Sequence, residues 1–235
     1  MSYLPAKYET AYAGLEKCAK LLTPLQPHQQ RVSDRMQNQQ GLVVAHGLGS
    51  GKTLASIAAA DQLNMPTTVV VPAALQANYL KELKNHRAEG AENFDITSLQ
   101  KATRSHDLPD MKNRLLIVDE AHKLREPGTK AHQYFKKLNP AKRMYLTASP
   151  VYNHPADLGS LVNLASGYKL LPNTRSDFER DYTRMEKVSP GFWGSLRGVK
   201  PGEKQVLKNT DHLKGILKKW VDYHENKDTG DFPTS

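Results

Sequence analysis

A short glycine-rich segment between two apolar runs constrains the fold of this chain more than any other feature. Residues 47–53 read Gly-Leu-Gly-Ser-Gly-Lys-Thr. They follow an apolar run at residues 41–45, typical of a buried strand, and precede an alanine-rich run at residues 54–60, typical of a helix. Strand, glycine loop and helix in this order form the context of a phosphate-binding loop, whereas an ordinary strand-to-helix turn is the alternative.

The residue types in this loop suit an anion. Glycines let the backbone approach a phosphate because no Cβ stands in the way, and the helix N-terminus supplies free N–H groups and a positive dipole end. Lys52 is expected to reach the β- and γ-phosphates, and the Thr53 hydroxyl to hold Mg²⁺. His46 replaces the first glycine of the full motif. The predicted nucleotide contacts are Gly47, Leu48, Gly49, Ser50, Gly51, Lys52 and Thr53.

A pair of acidic residues follows a second apolar run. Residues 115–118 read Leu-Leu-Ile-Val, and Asp119 and Glu120 come directly after them. Ligands of open parallel sheets bind at the carboxyl ends of the strands, so the pair is expected to meet the glycine loop there. We predict that Asp119 binds Mg²⁺ and that Glu120 orients or deprotonates an attacking water. A solvated turn is the alternative, and His122 either couples the site to neighbouring strands or is a turn histidine.

Further strand candidates at residues 67–71, 94–97 and 144–147 alternate with helical patterns. This alternation predicts an α/β fold, with a mostly parallel sheet covered by helices on both faces. Glycine and proline interrupt the chain beyond Gly167, which favours helices there and no further sheet. The expected organisation is an N-terminal helical extension at residues 1–24, the α/β lobe at 25–166, a helical appendage at 167–225 and a loose tail at 226–235.

Composition narrows the class of protein. The chain has 235 residues and a net charge of +9, which suits a nucleic-acid partner or serves only as a solubilising surface. A single cysteine, Cys18, excludes an internal disulfide and a cysteine-based zinc site. Because no apolar run is long enough to span a membrane and no secretory signal is visible, we expect a cytoplasmic or nuclear protein.

Basic residues are concentrated in one segment, where only Glu126 opposes them. This segment either contacts nucleic-acid phosphates or forms a solvated helix face. Its members are Arg125, Lys130, Lys136, Lys137, Lys142 and Arg143.

In their order along the chain, these segments resemble the motifs of superfamily-two helicases. The set comprises Leu-Gln-Pro-His-Gln at 25–29, the glycine loop, Val-Val-Pro at 70–72, Asp-Glu-Ala-His at 119–122 and Leu-Thr-Ala-Ser-Pro at 146–150. More narrowly, residues 146–153 resemble the Leu-Thr-Gly-Thr-Pro-Ile-Gln-Asn motif of Swi/Snf-type ATPases, with Ala148 and Ser149 in place of glycine and threonine. The resemblance extends from about residue 25 to residue 163.

The resemblance implies a RecA-like P-loop NTPase lobe that uses ATP and Mg²⁺ and acts on nucleic acid, most readily double-stranded DNA. It assigns adenine recognition to Gln29, although spacing alone leaves a surface residue equally open. Contacts with one nucleic-acid strand, or the coupling of that strand to the nucleotide, are implied for Pro72, Ala73, Thr97, Ser98, Thr147, Ala148 and Ser149. For Thr97 and Ser98, ordinary turn hydroxyls are the alternative.

Such motors have a second RecA-like lobe that supplies arginine fingers, and the corresponding motif does not occur in these 235 residues. An arginine finger is worth roughly 10³ to 10⁵ in rate in related phosphoryl transfer. We therefore expect weak turnover by this chain alone, and a second lobe in a longer chain or a partner. The alternatives to a DNA translocase are a duplex-unwinding helicase, a restriction-type translocation subunit and a non-catalytic nucleotide-gated binding module.

Overall fold

The structure is a computed structural model that describes residues 21–87, 91–148, 155–188 and 202–225. Several expectations concern residues outside these ranges. They are the greater part of the N-terminal extension with Cys18, the contact assigned to Ser149 and the tail from residue 226.

A parallel six-stranded sheet forms the centre of the molecule. The described strands, of which β6 and β7 lie outside this sheet, are β1 (Gly41–His46), β2 (Thr67–Val71), β3 (Phe94–Ser98), β4 (Leu115–Val118), β5 (Lys142–Thr147), β6 (Thr183–Val188), β7 (Gly202–Leu207) and β8 (Val221–His224). The order in the main sheet is β3-β2-β4-β5-β1-β8, and each neighbouring pair is parallel. Strands β1, β2 and β4 are buried along their whole length, as their largely apolar or β-branched sequences predict.

Helices cover both faces of this sheet. They are α1 (Pro27–Asn38), α2 (Lys52–Leu63), α3 (Gln76–His86), α4 (Leu99–Ser105), α5 (Lys130–Lys137), α6 (Ala156–Ser166), α7 (Arg175–Tyr182) and α8 (Thr210–Trp220). Alternate strand residues face opposite cores, so Val44 belongs to the core that includes residues of α1 to α3, and Val43 to the core that includes residues of α4 to α8. The predicted fold class is confirmed. Within the described residues, no helix has the length and apolar character needed to cross a membrane.

The expectation that no sheet follows Gly167 is wrong. Strands β6 and β7 form an antiparallel pair, and β8 extends the main sheet next to β1. Strand β8 has only four residues and carries the charged Asp222 in place of an apolar run, so its local pattern does not identify it. The proposed division into domains stays a prediction.

Candidate nucleotide-binding site

The carboxyl ends of the six parallel strands lie at one edge of the sheet. The glycine loop leaves β1 at this edge and Asp119 leaves β4, with only β5 between those two strands. The topology therefore brings together two segments about seventy positions apart in sequence, as the position of ligand sites in parallel sheets predicts.

The glycine loop has the backbone conformation that its composition suggests. Gly49 and Gly51 both have φ of 73°, in the left-handed region that favours glycine. A Cβ on Gly51 would also collide with the side-chain amide of Gln29. The Ser50 hydroxyl donates to the Gly47 carbonyl at 2.7 Å, and α2 begins at Lys52. The loop is thus a compact turn that ends at the N-terminus of a buried helix.

The Lys52 ammonium lies against the loop, within electrostatic range of the acidic pair. Its Nζ donates to the carbonyl oxygens of His46 and Gly47, at 3.0 Å each. Burial lowers the pKa of Lys52, and the negative charges of Asp119 and Glu120 oppose this shift. The ammonium and the carboxylates therefore lie near one another at the same edge of the sheet.

Backbone hydrogen bonds fix the position of Asp119. The Asp119 amide donates to the Val70 carbonyl at 2.8 Å, and Asp119 Oδ1 accepts from the Glu120 amide at 2.9 Å. Burial raises the pKa of Asp119, which the Glu120 amide hydrogen bond and the Lys52 charge partly counteract. Glu120 has φ of 51°, and its Oε2 lies 3.1 Å from His122 Nδ1. A cation beside such a buried carboxylate would stabilise its charged form.

Gln29 lies in α1, and its side chain is buried against the glycine loop. Its side chain is 4% exposed, which excludes the surface interpretation. Its Oε1 accepts from the Gln26 amide at 2.9 Å, and its Nε2 donates to the carbonyls of Ser50 and Gly51 at 3.2 and 3.4 Å. The amide thus fastens α1 to the loop, while its assignment to adenine stays a prediction.

The residues assigned to nucleic acid lie after the strands at the same edge. Pro72 and Ala73 follow β2, Thr97 and Ser98 end β3, and Thr147 ends β5 before Ala148. Ala73 is exposed and Thr147 is fully buried. The Ser98 hydroxyl caps α4 by accepting from the Lys101 amide at 3.1 Å. It therefore has the local structural role that was the alternative to a nucleic-acid contact.

The basic segment does not form one surface. Lys142 donates to the carbonyls of Met36, Gln37 and Gln39 at 2.6 to 3.0 Å, and so closes the end of α1. Lys130 and Lys137 line a groove of about 770 Å³ between α4 and α5. Lys136 lines a different cavity with Arg143. The other residues of the groove are Thr103, Arg104, His106, Gly128, Gln133 and Tyr134.

Sequence reasoning missed a buried charged cluster behind the loop. Asp222 on β8 is 1% exposed and accepts from Arg31 at 2.7 and 2.8 Å, from Arg35 at 3.1 Å and from His46 Nε2 at 2.8 Å. Burial alone would raise the pKa of Asp222, but these hydrogen bonds hold it well below its usual range. Histidine in place of the first motif glycine was the one available signal, since His46 is part of this cluster.

A parallel sheet with a glycine loop after one strand and a buried carboxylate after another defines the P-loop nucleotide-binding class. Two family models match the chain. One describes the SNF2-related domain and matches residues 91–230, and the other describes the type III restriction enzyme res subunit and matches residues 22–152. The chain belongs to the SNF2-related group of helicase-like ATPase lobes, with its first half shared with the restriction subunits.

Individual relatives are longer proteins. A putative ATP-dependent RNA helicase, L538 of Acanthamoeba polyphaga mimivirus, is 27% identical over 213 residues, which are 90% of this chain and 44% of the relative. The chromodomain-helicase-DNA-binding protein 1-like of Danio rerio is 26% identical over 194 residues, or 70% of this chain and 19% of the relative. This chain thus spans less than half the length of these relatives.

A solved structure shares the fold. The Sulfolobus solfataricus SWI2/SNF2 ATPase core in complex with double-stranded DNA matches with a TM-score of 0.67 and 21% identity. The match covers 91% of this chain and 47% of that protein. The likeness extends over nearly the whole chain, so the predicted RecA-like architecture of the lobe is confirmed.

Proposed function

We propose that this chain is the ATP-binding lobe of a nucleic-acid-dependent ATPase that moves along DNA. The observation that carries the proposal is the position of the Lys52 ammonium within electrostatic range of Asp119 and Glu120, at the edge where the glycine loop begins a helix. Family membership supports the use of a nucleotide. The activity of a whole motor further requires a second lobe with arginine fingers, in a longer chain or a partner.

The residues present fit a nucleotide-bound Mg²⁺. Asp119 offers a buried carboxylate, and the Thr53 hydroxyl lies in the first turn of α2, so hard oxygen ligands are available at the loop. When bound, the ion neutralises charge on the phosphates. Lys52 and the loop amides orient the phosphates, and Glu120 aims a water and accepts its proton. Gln29 is proposed to read the adenine.

Replacing Glu120 by Gln separates hydrolysis from binding. We expect ATP hydrolysis to fall by about 10² to 10⁴, the usual contribution of a general base, because the amide cannot take a proton from water. Affinity for MgATP should stay within about twofold, since Glu120 does not bind the phosphates in this proposal. Steady-state turnover with and without DNA, together with calorimetric binding, makes the measurement. Unchanged turnover in the variant would remove Glu120 from the reaction.

We propose that the ATPase binds nucleic acid and moves along it. The proposal draws on the Sulfolobus relative, which is described in complex with double-stranded DNA, and on the net charge of +9. The strand contacts proposed for this chain are Pro72, Ala73, Thr97, Ser98, Thr147, Ala148 and Ser149. The match to a restriction subunit favours a restriction-type translocase as the second candidate. A strand-separation assay distinguishes both translocases from an unwinding helicase.

The groove between α4 and α5 gives this proposal a quantitative test. Changing Arg104, Lys130 and Lys137 to alanine should reduce the slope of log affinity against log salt by about 2 to 3, because each lost phosphate contact removes about 0.9. The matched control carries alanine at the exposed residues Lys81, Lys84 and Lys112, which lie outside the groove. Fluorescence anisotropy with labelled duplex DNA measures both slopes. Equal slopes in the two variants would mean that the groove is only a solvated face.

A further inference from the structure

Two histidines, His28 and His224, make hydrogen bonds with the backbone of the glycine loop. The His224 carbonyl accepts from the Gly47 amide at 2.9 Å, and His28 Nε2 lies 2.8 Å from the Ser50 carbonyl. Because a carbonyl only accepts, His28 Nε2 must carry the hydrogen in this contact. His28 comes from the start of α1 and His224 from the end of β8, so two elements besides β1 hold the loop.

These two contacts fix the orientation of two peptide groups. In a trans peptide, the C=O and N–H groups point in opposite directions. The Gly47 amide points toward β8, and the carbonyl of the same peptide, on His46, accepts from Lys52 Nζ at 3.0 Å. The Ser50 carbonyl points toward His28, so the Gly51 N–H of that peptide is directed away from His28. Backbone N–H groups at the start of a helix are the donors that a phosphate needs.

Ring packing makes the His28 contact rigid. The rings of His28 and His224 stack with centroids 3.8 Å apart and an angle of 6° between their planes. His46 meets both rings edge-on, at 5.4 and 5.5 Å, and its Nε2 is bound to Asp222. The stack leaves His28 little freedom to turn away from the Ser50 carbonyl.

We propose that His28 is a positioning residue for phosphate binding, which turns the Ser50–Gly51 peptide so that its N–H faces the nucleotide. The role rests on the proposed function, because it requires that the loop bind phosphates. It is distinct from adenine recognition, since His28 acts on the loop backbone. Gln29 donates to the same carbonyl at a longer 3.2 Å, so the contribution of His28 is partial.

Two substitutions separate the donor from the ring. His28→Phe keeps an aromatic ring for the stack with His224 but has no donor, whereas His28→Gln keeps a donor at a similar distance and loses the ring. The ligand is magnesium pyrophosphate, which reports on the loop without a base, and MgADP is measured in parallel. We expect His28→Phe to weaken both ligands about threefold to tenfold, in line with the loss of one hydrogen bond, and His28→Gln to stay within about twofold of the native chain.

Each outcome either supports or contradicts the positioning role of His28. Thermal unfolding is measured for both variants, and equal melting temperatures with unequal affinities support positioning over a purely structural role. Wild-type affinity in His28→Phe, or equal weakening in both variants, would overturn the role of the donor. A ¹⁵N spectrum that places the neutral His28 proton on Nδ1 would also overturn it. If the native chain itself binds neither ligand, the proposed function fails and this inference fails with it.

Discussion

Lys52→Ala is expected to weaken MgATP binding by about 10- to 150-fold, the loss that follows when hydrogen bonds to a charged group, worth about 1.5–3 kcal/mol, are removed. In the structure Lys52 Nζ is bound to the His46 and Gly47 carbonyls, so the ammonium already lies at the loop that receives the phosphates. Isothermal titration calorimetry of the two chains with MgATP measures the effect. ATP turnover should fall in parallel.

The control for this prediction is Lys112→Ala, which removes an exposed lysine near the start of β4, at the opposite edge of the sheet. It makes the same change in net charge but should leave MgATP affinity within about twofold, because exposed charges at a distance are screened by salt. If the two variants bind MgATP equally well, the glycine loop is a structural turn. Normal nucleic-acid binding by Lys52→Ala without ATP dependence would instead favour a non-catalytic binding module.

Asp222→Asn is expected to lower the free energy of unfolding by about 3 kcal/mol. Removing one partner of a buried ion pair typically costs about 3–5 kcal/mol, and the lower end applies here because Arg31 is 47% exposed and can turn to solvent. Arg35 and His46 are less exposed and lose a charged partner. Urea denaturation at neutral pH measures the difference. Asp211→Asn, on the exposed first turn of α8, should lower stability by no more than about 1 kcal/mol, the usual contribution of a surface charge at a helix N-terminus.

The stability difference between the native chain and Asp222→Asn should depend on pH with a definite sign. The pKa of Asp222 is lowered in the folded state, so the carboxylate contributes its full stabilisation above its unfolded pKa of about 4. That contribution decreases as the pH falls below about 4 toward the folded pKa. Denaturation curves from pH 7 to pH 3 should therefore show a stability difference that is constant above about pH 4 and becomes smaller below it. A constant difference over this range would contradict the assignment.

Local patterns were sufficient to predict the central features. The apolar runs before residues 47 and 119 predicted buried parallel strands, since a strand covered on both faces needs apolar residues at successive positions. The predicted geometry followed from topology, because parallel strands must end at one edge. Side-chain chemistry then placed Lys52 and Asp119 in one site, and the structure brings these two charges within range of each other.

Contacts between distant segments explain what local patterns missed. Strand β8 pairs with β1, and its Asp222 accepts from Arg31, Arg35 and His46, partners that no pattern within four residues encodes. The basic segment likewise divides between a groove, a separate cavity and the end of α1, because helix α5 turns Lys136 and Lys137 in different directions. Gln29 is buried because it contacts the glycine loop, which lies elsewhere in the sequence, so local patterns around Gln29 could not predict its burial.

A crystal structure of this chain with Mg²⁺ and a non-hydrolysable ATP analogue is the most direct test of a shared nucleotide site. We predict that the Lys52 ammonium leaves the His46 and Gly47 carbonyls for the β- and γ-phosphates, and that the metal lies between the Thr53 hydroxyl and Asp119. Phosphates bound away from residues 47–53, or a metal with no approach to Asp119, would contradict the convergence of the two segments on one site.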